Sequence, residues 1–239
     1  LAGILFIISA PSGSGKSTLV NQLRSLVDNL EFSVSFTTRN PRGSEQQGRE
    51  YHFTDRATFE EMVVADEFLE HAEVFGNYYG TAIQSLRDAA ALGKDLLLDI
   101  DVQGAAQVRK KIPDAVSIFV MPPNKEVLGT RLRNRSRAEG SITDETERII
   151  ERRLAQASNE IVNYRQYGYI LVNDVLDHAV EELAAIVLAE RIRRSGHPVN
   201  SEERRLIELA ESCHQSNTMA RLQPVLSSFG LYDQEIVRT

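Results

Sequence analysis

The 239-residue chain is 42% hydrophobic and has a formal net charge of −7, which suits one or two compact domains with a sizeable buried core. That balance excludes a bulk cationic surface for a nucleic-acid polymer, but small anionic ligands need only local arginines. A single cysteine, Cys213, excludes an intrachain disulfide, and no apolar run reaches the roughly 18 residues of a membrane span; a soluble, cytoplasmic protein is expected, with no membrane partner. The opening residues also lack the basic start and longer apolar region of a secretory signal.

Ile4–Ser9 is a short apolar, β-branched run followed by Pro, Ser and Gly, the pattern of a buried strand ending in a turn. The spacing of Leu19, Val20, Leu23, Leu26 and Val27 predicts a helix. From about Glu31 to Gly80 short alternating segments (Phe32–Phe36, Glu50–Phe53) and turn residues predict an inserted, mixed subdomain. Further buried strands are predicted at Asp95–Ile100, Ala115–Met121 and Tyr169–Val172, separated by helical patterns. Strands alternating with helices argue for an α/β fold with a parallel sheet flanked by helices. Asn124–Asn163 is helical in pattern and dense in arginine, with a polar interruption at Arg137–Asp144 that predicts a mobile lid between two helices. Ser195-Gly196-His197-Pro198 ends the preceding helix. Ser201–Ala210 begins another, with Ser201 as its N-cap and glutamates in the first turn.

The strongest chemical signal is Ala10-Pro11-Ser12-Gly13-Ser14-Gly15-Lys16-Ser17-Thr18. It fits the Walker A pattern except that Ala10 replaces the first glycine, and it lies between a predicted strand and a predicted helix, as a P-loop of an NTPase sheet must. Backbone N–H groups and the helix N-terminus can there surround a β-phosphate, Lys16 can bridge the β- and γ-phosphates, and Ser17 can offer its hydroxyl to Mg²⁺. Leu96-Leu97-Leu98-Asp99-Ile100-Asp101 is similar to the second NTPase motif, in which a buried strand carries a carboxylate beside the metal. If the strand continues through both, Asp99 and Asp101 point the same way. The alternative is a solvated strand end with two capping aspartates.

A P-loop does not identify the phosphoryl acceptor. Five segments do bear on it: Ser33-Val34-Ser35-Phe36-Thr37-Thr38-Arg39-Asn40-Pro41-Arg42, Gly48-Arg49-Glu50-Tyr51-His52-Phe53, Phe68-Leu69-Glu70-His71-Ala72-Glu73, Gly76-Asn77-Tyr78-Tyr79-Gly80-Thr81 and Leu98-Asp99-Ile100-Asp101-Val102-Gln103-Gly104. In them the sequence resembles the guanylate kinase family, from about Ile4 to Arg194. The resemblance implies a P-loop nucleoside monophosphate kinase that transfers the γ-phosphoryl group of Mg-ATP to GMP in purine nucleotide metabolism. It implies that Arg39, Arg42, Tyr51 and Tyr79 grip the GMP phosphate, that Ser35, Glu70 and Thr81 read guanine, and that Asp99 and Asp101 belong to the GMP site, with Asp101 joining Ser17 at the metal. Ser12 to Thr18 and Asn173 would bind ATP. Lys16, Arg42, Arg135 and Arg153 would be catalytic. The chemistry is coherent on its own: guanidinium groups bind phosphate through charge-assisted pairs. Guanine's adjacent N1–H and N2 amine suit one ionised carboxylate, which adenine's unprotonated N1 would face acceptor to acceptor.

By the same resemblance, residues 1–194 form the kinase-like domain, with a core of 1–32, 82–130 and 154–194, a GMP-binding subdomain of 33–81 and a helical lid of 131–153. The lid segment Ser136–Glu145 is longer than the family's short linker, and the extension 195–239 has no counterpart in the resemblance. Two alternatives stand beside the enzyme: a scaffold with the same fold, against which Gly13, Gly15, Lys16 and Ser17 argue, and a kinase for another small phosphate, against which Glu70 and Ser35 argue. Whether the chain is a monomer or a homo-oligomer is left open by the sequence.

Overall fold

The computed structural model describes residues 3–139 and 143–231. In chain order the elements are β1 (Leu5–Ser9), α1 (Lys16–Leu26), β2 (Leu30–Phe32), β3 (Phe36–Thr37), β4 (His52–Phe53), α2 (Arg56–Val64), β5 (Phe68–Val74), β6 (Asn77–Ala82) and α3 (Ile83–Ala91). They continue with β7 (Asp95–Asp99), α4 (Val102–Lys111), β8 (Val116–Met121), α5 (Lys125–Glu139), α6 (Asp144–Ile161), β9 (Tyr169–Val172), α7 (Leu176–Ser195), α8 (Ser201–Ser212) and α9 (Met219–Ser228). Two compact units result: Leu1–Ser9 with Asn29–Ser117, and Ala10–Asp28 with Ile118–Thr239.

In the first unit β1 and β2 run parallel to β7, with Ile7 opposite Leu98 and Phe32 opposite Leu97. Every residue of β1, and β7 as far as Leu98, is buried. Such unbroken apolar runs are what a parallel strand covered on both faces requires, and α4 packs on β1 while α3 packs on β7. The strand expected from Ile4 begins one residue later, because the Ile4 N–H is taken by the Asp95 carboxylate at 2.6 Å.

The same unit holds the mixed sheet, of order β4-β3-β6-β5, in which β3 and β4 are parallel and the other pairs antiparallel. The expected segment Phe32–Phe36 is split. Phe32 ends β2 beside Leu97 in the parallel ladder, and Phe36 starts β3 beside Gly80. Helix α2 was not foreseen, because Phe59 is its one buried residue and leaves no apolar period to read. Asp55 caps it, accepting the Thr58 N–H at 2.8 Å, and the Phe59 ring stacks on Phe68 and Tyr78 with centroids 4.5 and 5.4 Å apart.

In the second unit β8 is parallel to β9, from Ile118 opposite Tyr169 to Met121 opposite Val172. Helix α1 buries Leu19, Val20 and Leu23 and packs on α7, while Leu26, expected on the same face, is exposed in the last turn. Helices α5 and α6 pack together. The expected polar interruption at 137–144 is narrower than the composition suggested: α5 runs on through Arg137 to Glu139 and α6 starts at Asp144. The remainder, 140–142, lies outside the described residues. At α8 the N-cap is Asn200, not Ser201. The Asn200 side chain accepts the Glu202 and Glu203 N–H groups at 2.9 Å each, and Glu203 returns a bond to the Asn200 N–H, completing a capping box. Among the described residues no helix is long and apolar enough to cross a membrane.

Candidate active site

The phosphate loop lies in the second unit. The Ser14 N–H bonds the Pro11 carbonyl at 3.1 Å to make the turn, and Gly13 and Gly15 both have φ of +90°, a left-handed conformation that side chains resist. Gly15 is the N-cap of α1 and supplies no side-chain cap. The first-turn amides of α1 therefore have no intrahelical acceptor, the arrangement that receives a phosphate. Lys16 is the first residue of the helix and half-buried, Ser17 and Thr18 are exposed, Ser12 is half-buried, and Ser14 is buried.

Two side chains from elsewhere in the unit hold this loop. Asn173, just after β9, donates from Nδ2 to the Ser14 carbonyl at 2.7 Å. Arg131 of α5 donates to the same carbonyl at 3.2 Å and to the Asn173 carbonyl at 3.0 Å. Burial lowers the Arg131 pKa, with Asp174 acting in the opposite direction. The loop is packed as closely as it is bonded: a Cβ on Gly15 would lie 2.3 Å from Asn173 Nδ2, and one on Gly13 would lie 2.9 Å from Leu132. Arg131 was not singled out from the sequence, where it is one of several arginines on a helix. Of its neighbours, Arg133 is committed to Glu147 at 3.0 Å, Arg135 is exposed on α5, and Arg153 is half-buried on α6.

In the first unit, Glu70 of β5 faces Thr81 of β6 across the antiparallel ladder, and the Thr81 hydroxyl donates to Glu70 Oε1 at 2.6 Å. Glu70 is 3% exposed. Burial pushes its pKa up to about 7; the Thr81 bond opposes that shift and the charge of Asp101 adds to it. Gly104 of α4 leaves the space in which this carboxylate sits, since a Cβ there would lie 2.2 Å from Glu70 Oε2. Ser35 is also buried.

The strand does not continue through both aspartates. β7 ends at Asp99, and Asp101 is the N-cap of α4, its Oδ1 accepting the Gly104 N–H at 2.9 Å and its Oδ2 the Gln103 amide at 3.2 Å. The capping alternative thus describes Asp101, because the chain turns at Ile100 to enter the helix. Among the described residues there is no group of three or more His, Cys, Asp or Glu side chains suited to a metal ion.

Arg39, Tyr51 and Tyr79 come together. The Arg39 guanidinium lies over the Tyr51 ring at 5.3 Å, and the Tyr51 and Tyr79 rings meet at 5.9 Å. Arg39 is nearly buried; desolvation lowers its pKa, but bonds to Glu45 and Tyr79 outweigh that and hold it above the ordinary value. Glu45 grips it in a fork at 2.9 and 3.0 Å and also accepts the Arg42 backbone N–H at 2.8 Å. The Arg42 side chain is exposed. Glu45 thus organises both arginines, a role the sequence reading missed; the signal available was an acid three residues beyond Arg42.

Comparison with known proteins gives a consistent result. Residues 3–190 match the family model described as guanylate kinase. The chain is 56% identical over 229 residues to a guanylate kinase of Koribacter versatilis (strain Ellin345), covering 96% of this chain and 97% of that protein. It is 47% identical over 196 residues to a guanylate kinase of Escherichia coli (strain K12), covering 81% and 91%. The crystal structure of a guanylate kinase from Anaplasma phagocytophilum superposes with a TM-score of 0.65 at 34% identity, covering 80% of this chain and 87% of that one.

Proposed function

Because the chain belongs to the guanylate kinase family, whose members are nucleoside monophosphate kinases, we propose that it transfers the γ-phosphoryl group of ATP to GMP, giving ADP and GDP. The observation that carries the choice of acceptor is the buried Glu70–Thr81 pair. A carboxylate closed off from water accepts from guanine N1–H and N2, while the Ser35 hydroxyl can donate to O6, as the Thr81 hydroxyl can on giving up its bond to Glu70. Adenine would leave Glu70 facing an acceptor, at about 1–3 kcal/mol for each buried group left unpaired.

In this reading Arg39, Arg42, Tyr51 and Tyr79 hold the GMP phosphate, and Asp99 and Asp101 border the same site. Arg39 can exchange Glu45 for phosphate without losing a charged partner. The phosphate loop from Ser12 to Thr18 holds the ATP phosphates, and Asn173 lies toward the base. Lys16, Arg42, Arg135 and Arg153 neutralise the charge spread over the transferring group, which is most of what a protein can contribute to phosphoryl transfer. The attacking GMP oxygen is already anionic, so no obligatory general base is required. Closing residues 33–81 and 131–153 over the substrates would exclude water as a competing acceptor.

Mg²⁺ fits the oxygen donors present, since the exposed Ser17 hydroxyl lies in the first turn of α1 and Mg²⁺ prefers few protein ligands beside phosphate and water. The oxygens of Asp101, the other residue expected at the ion, already accept from Gly104 and Gln103. When bound, the ion supplies charge neutralisation on the phosphates. The test is a coupled ADP-release assay with ATP and GMP, AMP, UMP or CMP. Strong turnover with GMP alone is expected; equal rates with AMP, or none with any acceptor, would overturn the proposal.

A further inference from the structure

We propose that the C-terminal extension is a working part of the ATP site: Ser228, the last residue of α9, positions α5, and α5 sets the phosphate loop. This rests on the loop being the ATP site.

The Ser228 hydroxyl accepts the N–H of Lys125, the first residue of α5, at 3.0 Å, and donates to the Val225 carbonyl of its own helix at 2.6 Å. First-turn amides have no acceptor within their helix. On α5, Asn124 Oδ1 takes the Val127 amide at 2.8 Å and Ser228 takes that of Lys125, so the cap is completed by a residue 103 positions away. One turn further along, Leu128 lies against the phosphate loop, followed by Leu132: a Cβ on Gly13 would meet them at 3.1 and 2.9 Å. Between them Arg131 donates to the Ser14 and Asn173 carbonyls. The path from Ser228 to the loop is thus a single helix held at one end by the extension and applied to the loop two turns later.

The extension is itself firmly seated in this unit. Arg221 of α9 pairs with Glu182 of α7 at 2.8 Å, and Leu222, Val225 and Leu226 are buried. The segment after α8 adds a short antiparallel bridge to β9: the Ile170 N–H bonds the Cys213 carbonyl and the Gln215 N–H the Gly168 carbonyl, both at 2.8 Å. β9 leads directly into Asn173, so the extension touches both elements that grip Ser14. Beside the Ser228 contact lies an open surface groove lined by Asn124, Gly129, Arg133 and Leu154 among others.

The experiment compares full-length wild type, Ser228→Ala and Ser228→Thr by calorimetric titration with a non-hydrolysable Mg-ATP analogue and, separately, with GMP. Losing a cap bond corresponds to about a 3- to 10-fold change in an equilibrium constant. Ser228→Ala should weaken analogue binding by about that factor and leave GMP affinity unchanged, while Ser228→Thr restores it, since threonine keeps the hydroxyl. Hydrogen exchange at the Lys125 amide should quicken in Ser228→Ala only. Wild-type analogue affinity in Ser228→Ala, or an equal loss for the analogue and GMP, would overturn the proposal. If Ser228→Ala fails to fold, Arg221→Gln takes its place, loosening α9 from α7 with the hydroxyl intact, and unchanged analogue binding there has the same meaning. If wild type binds the analogue yet does not phosphorylate GMP, the proposed function fails, and the titration still decides the role of the extension.

Discussion

The Thr81 hydroxyl donates to Glu70 Oε1 at 2.6 Å across the β5–β6 ladder, so the buried carboxylate is bonded to a neutral group and not to a cation. A carboxylate held in this way is ready to meet donors from a ligand, because no arginine or lysine must first be displaced from it. Glu70→Gln keeps the side chain's size but replaces an acceptor with an NH₂ donor. Loss of a charged hydrogen bond is worth roughly 1.5–3 kcal/mol, so kcat/KM for GMP should fall about 10- to 150-fold. AMP, whose N1 accepts, should not suffer the same fall. Equal losses for the two nucleotides would remove Glu70 from base recognition.

The pH dependence follows from the same group. Burial first, and the Asp101 charge after the opposing Thr81 bond, set the Glu70 pKa at about 7 in the ligand-free protein, against a usual 4.5. Guanine's two donors require the ionised form, so below pH 7 each unit should cost about tenfold in GMP affinity, with a proton released on binding. Stability runs the other way. An acid whose folded pKa is raised contributes stability that is fully present below pH 4.5 and lost as the pH rises through about 7. Calorimetry in buffers of different ionisation heat measures the proton. Glu70→Gln should retain only the titration of the GMP phosphate near about pH 6; if wild type follows the same curve, ionisation of Glu70 is not required.

What the sequence disclosed, and what it withheld, divides along physical lines. β1, β7, β8 and β9 were legible because strands buried on both faces must be apolar throughout, and the loop from Ala10 to Thr18 was legible because glycine, lysine and serine at fixed offsets serve a backbone geometry. Helix α2 was not legible, since one buried phenylalanine makes no period. The roles of Glu45, Gly104, Arg131 and Ser228 were also hidden. Each acts through a partner whose proximity only the tertiary structure creates, and the Ser228–Lys125 bond spans 103 residues. For Asp99 and Asp101 the condition of a continuing strand fails for a local reason: period-two logic holds only while the strand lasts, and here it ends at Asp99.

Lys16→Ala tests the phosphate loop. Lys16 is half-buried at the first position of α1, outside the set of buried apolar residues, and alanine is a good helix former, so the melting temperature should change little. Turnover should fall by about 10²–10³ or more, the scale of removing one electrostatic contact to a developing charge. Near-normal turnover, measured as ADP release, would remove Lys16 from phosphoryl transfer.

Gly104→Ala separates the shape of the base site from its chemistry, because it leaves every functional group of Glu70, Thr81 and Asp101 in place. The added Cβ would lie 2.2 Å from Glu70 Oε2 and 2.9 Å from its carboxyl carbon, distances at which something must move. Gly104 sits in the first turn of α4, where the Asp101 cap takes its N–H and alanine keeps that N–H. Replacing glycine by alanine within a helix favours the helix by up to about 1 kcal/mol, so the strain is partly offset and the fold should survive. The yielding group should be the carboxylate, since β5 and β6 are held by ladder bonds while the Glu70 side chain is tied by Thr81. A displaced carboxylate no longer meets both guanine donors, and GMP efficiency should fall about tenfold or more, comparable with losing one charged hydrogen bond. The phosphate loop shares no residue with this contact, so affinity for a Mg-ATP analogue should stay at the wild-type value. Titrating the variant with GMP and with the analogue, alongside a thermal melt, checks all three expectations. Unchanged GMP affinity would mean that Glu70 has room the structure does not show, and a parallel loss for both nucleotides would mean that α4 carries more than the base site.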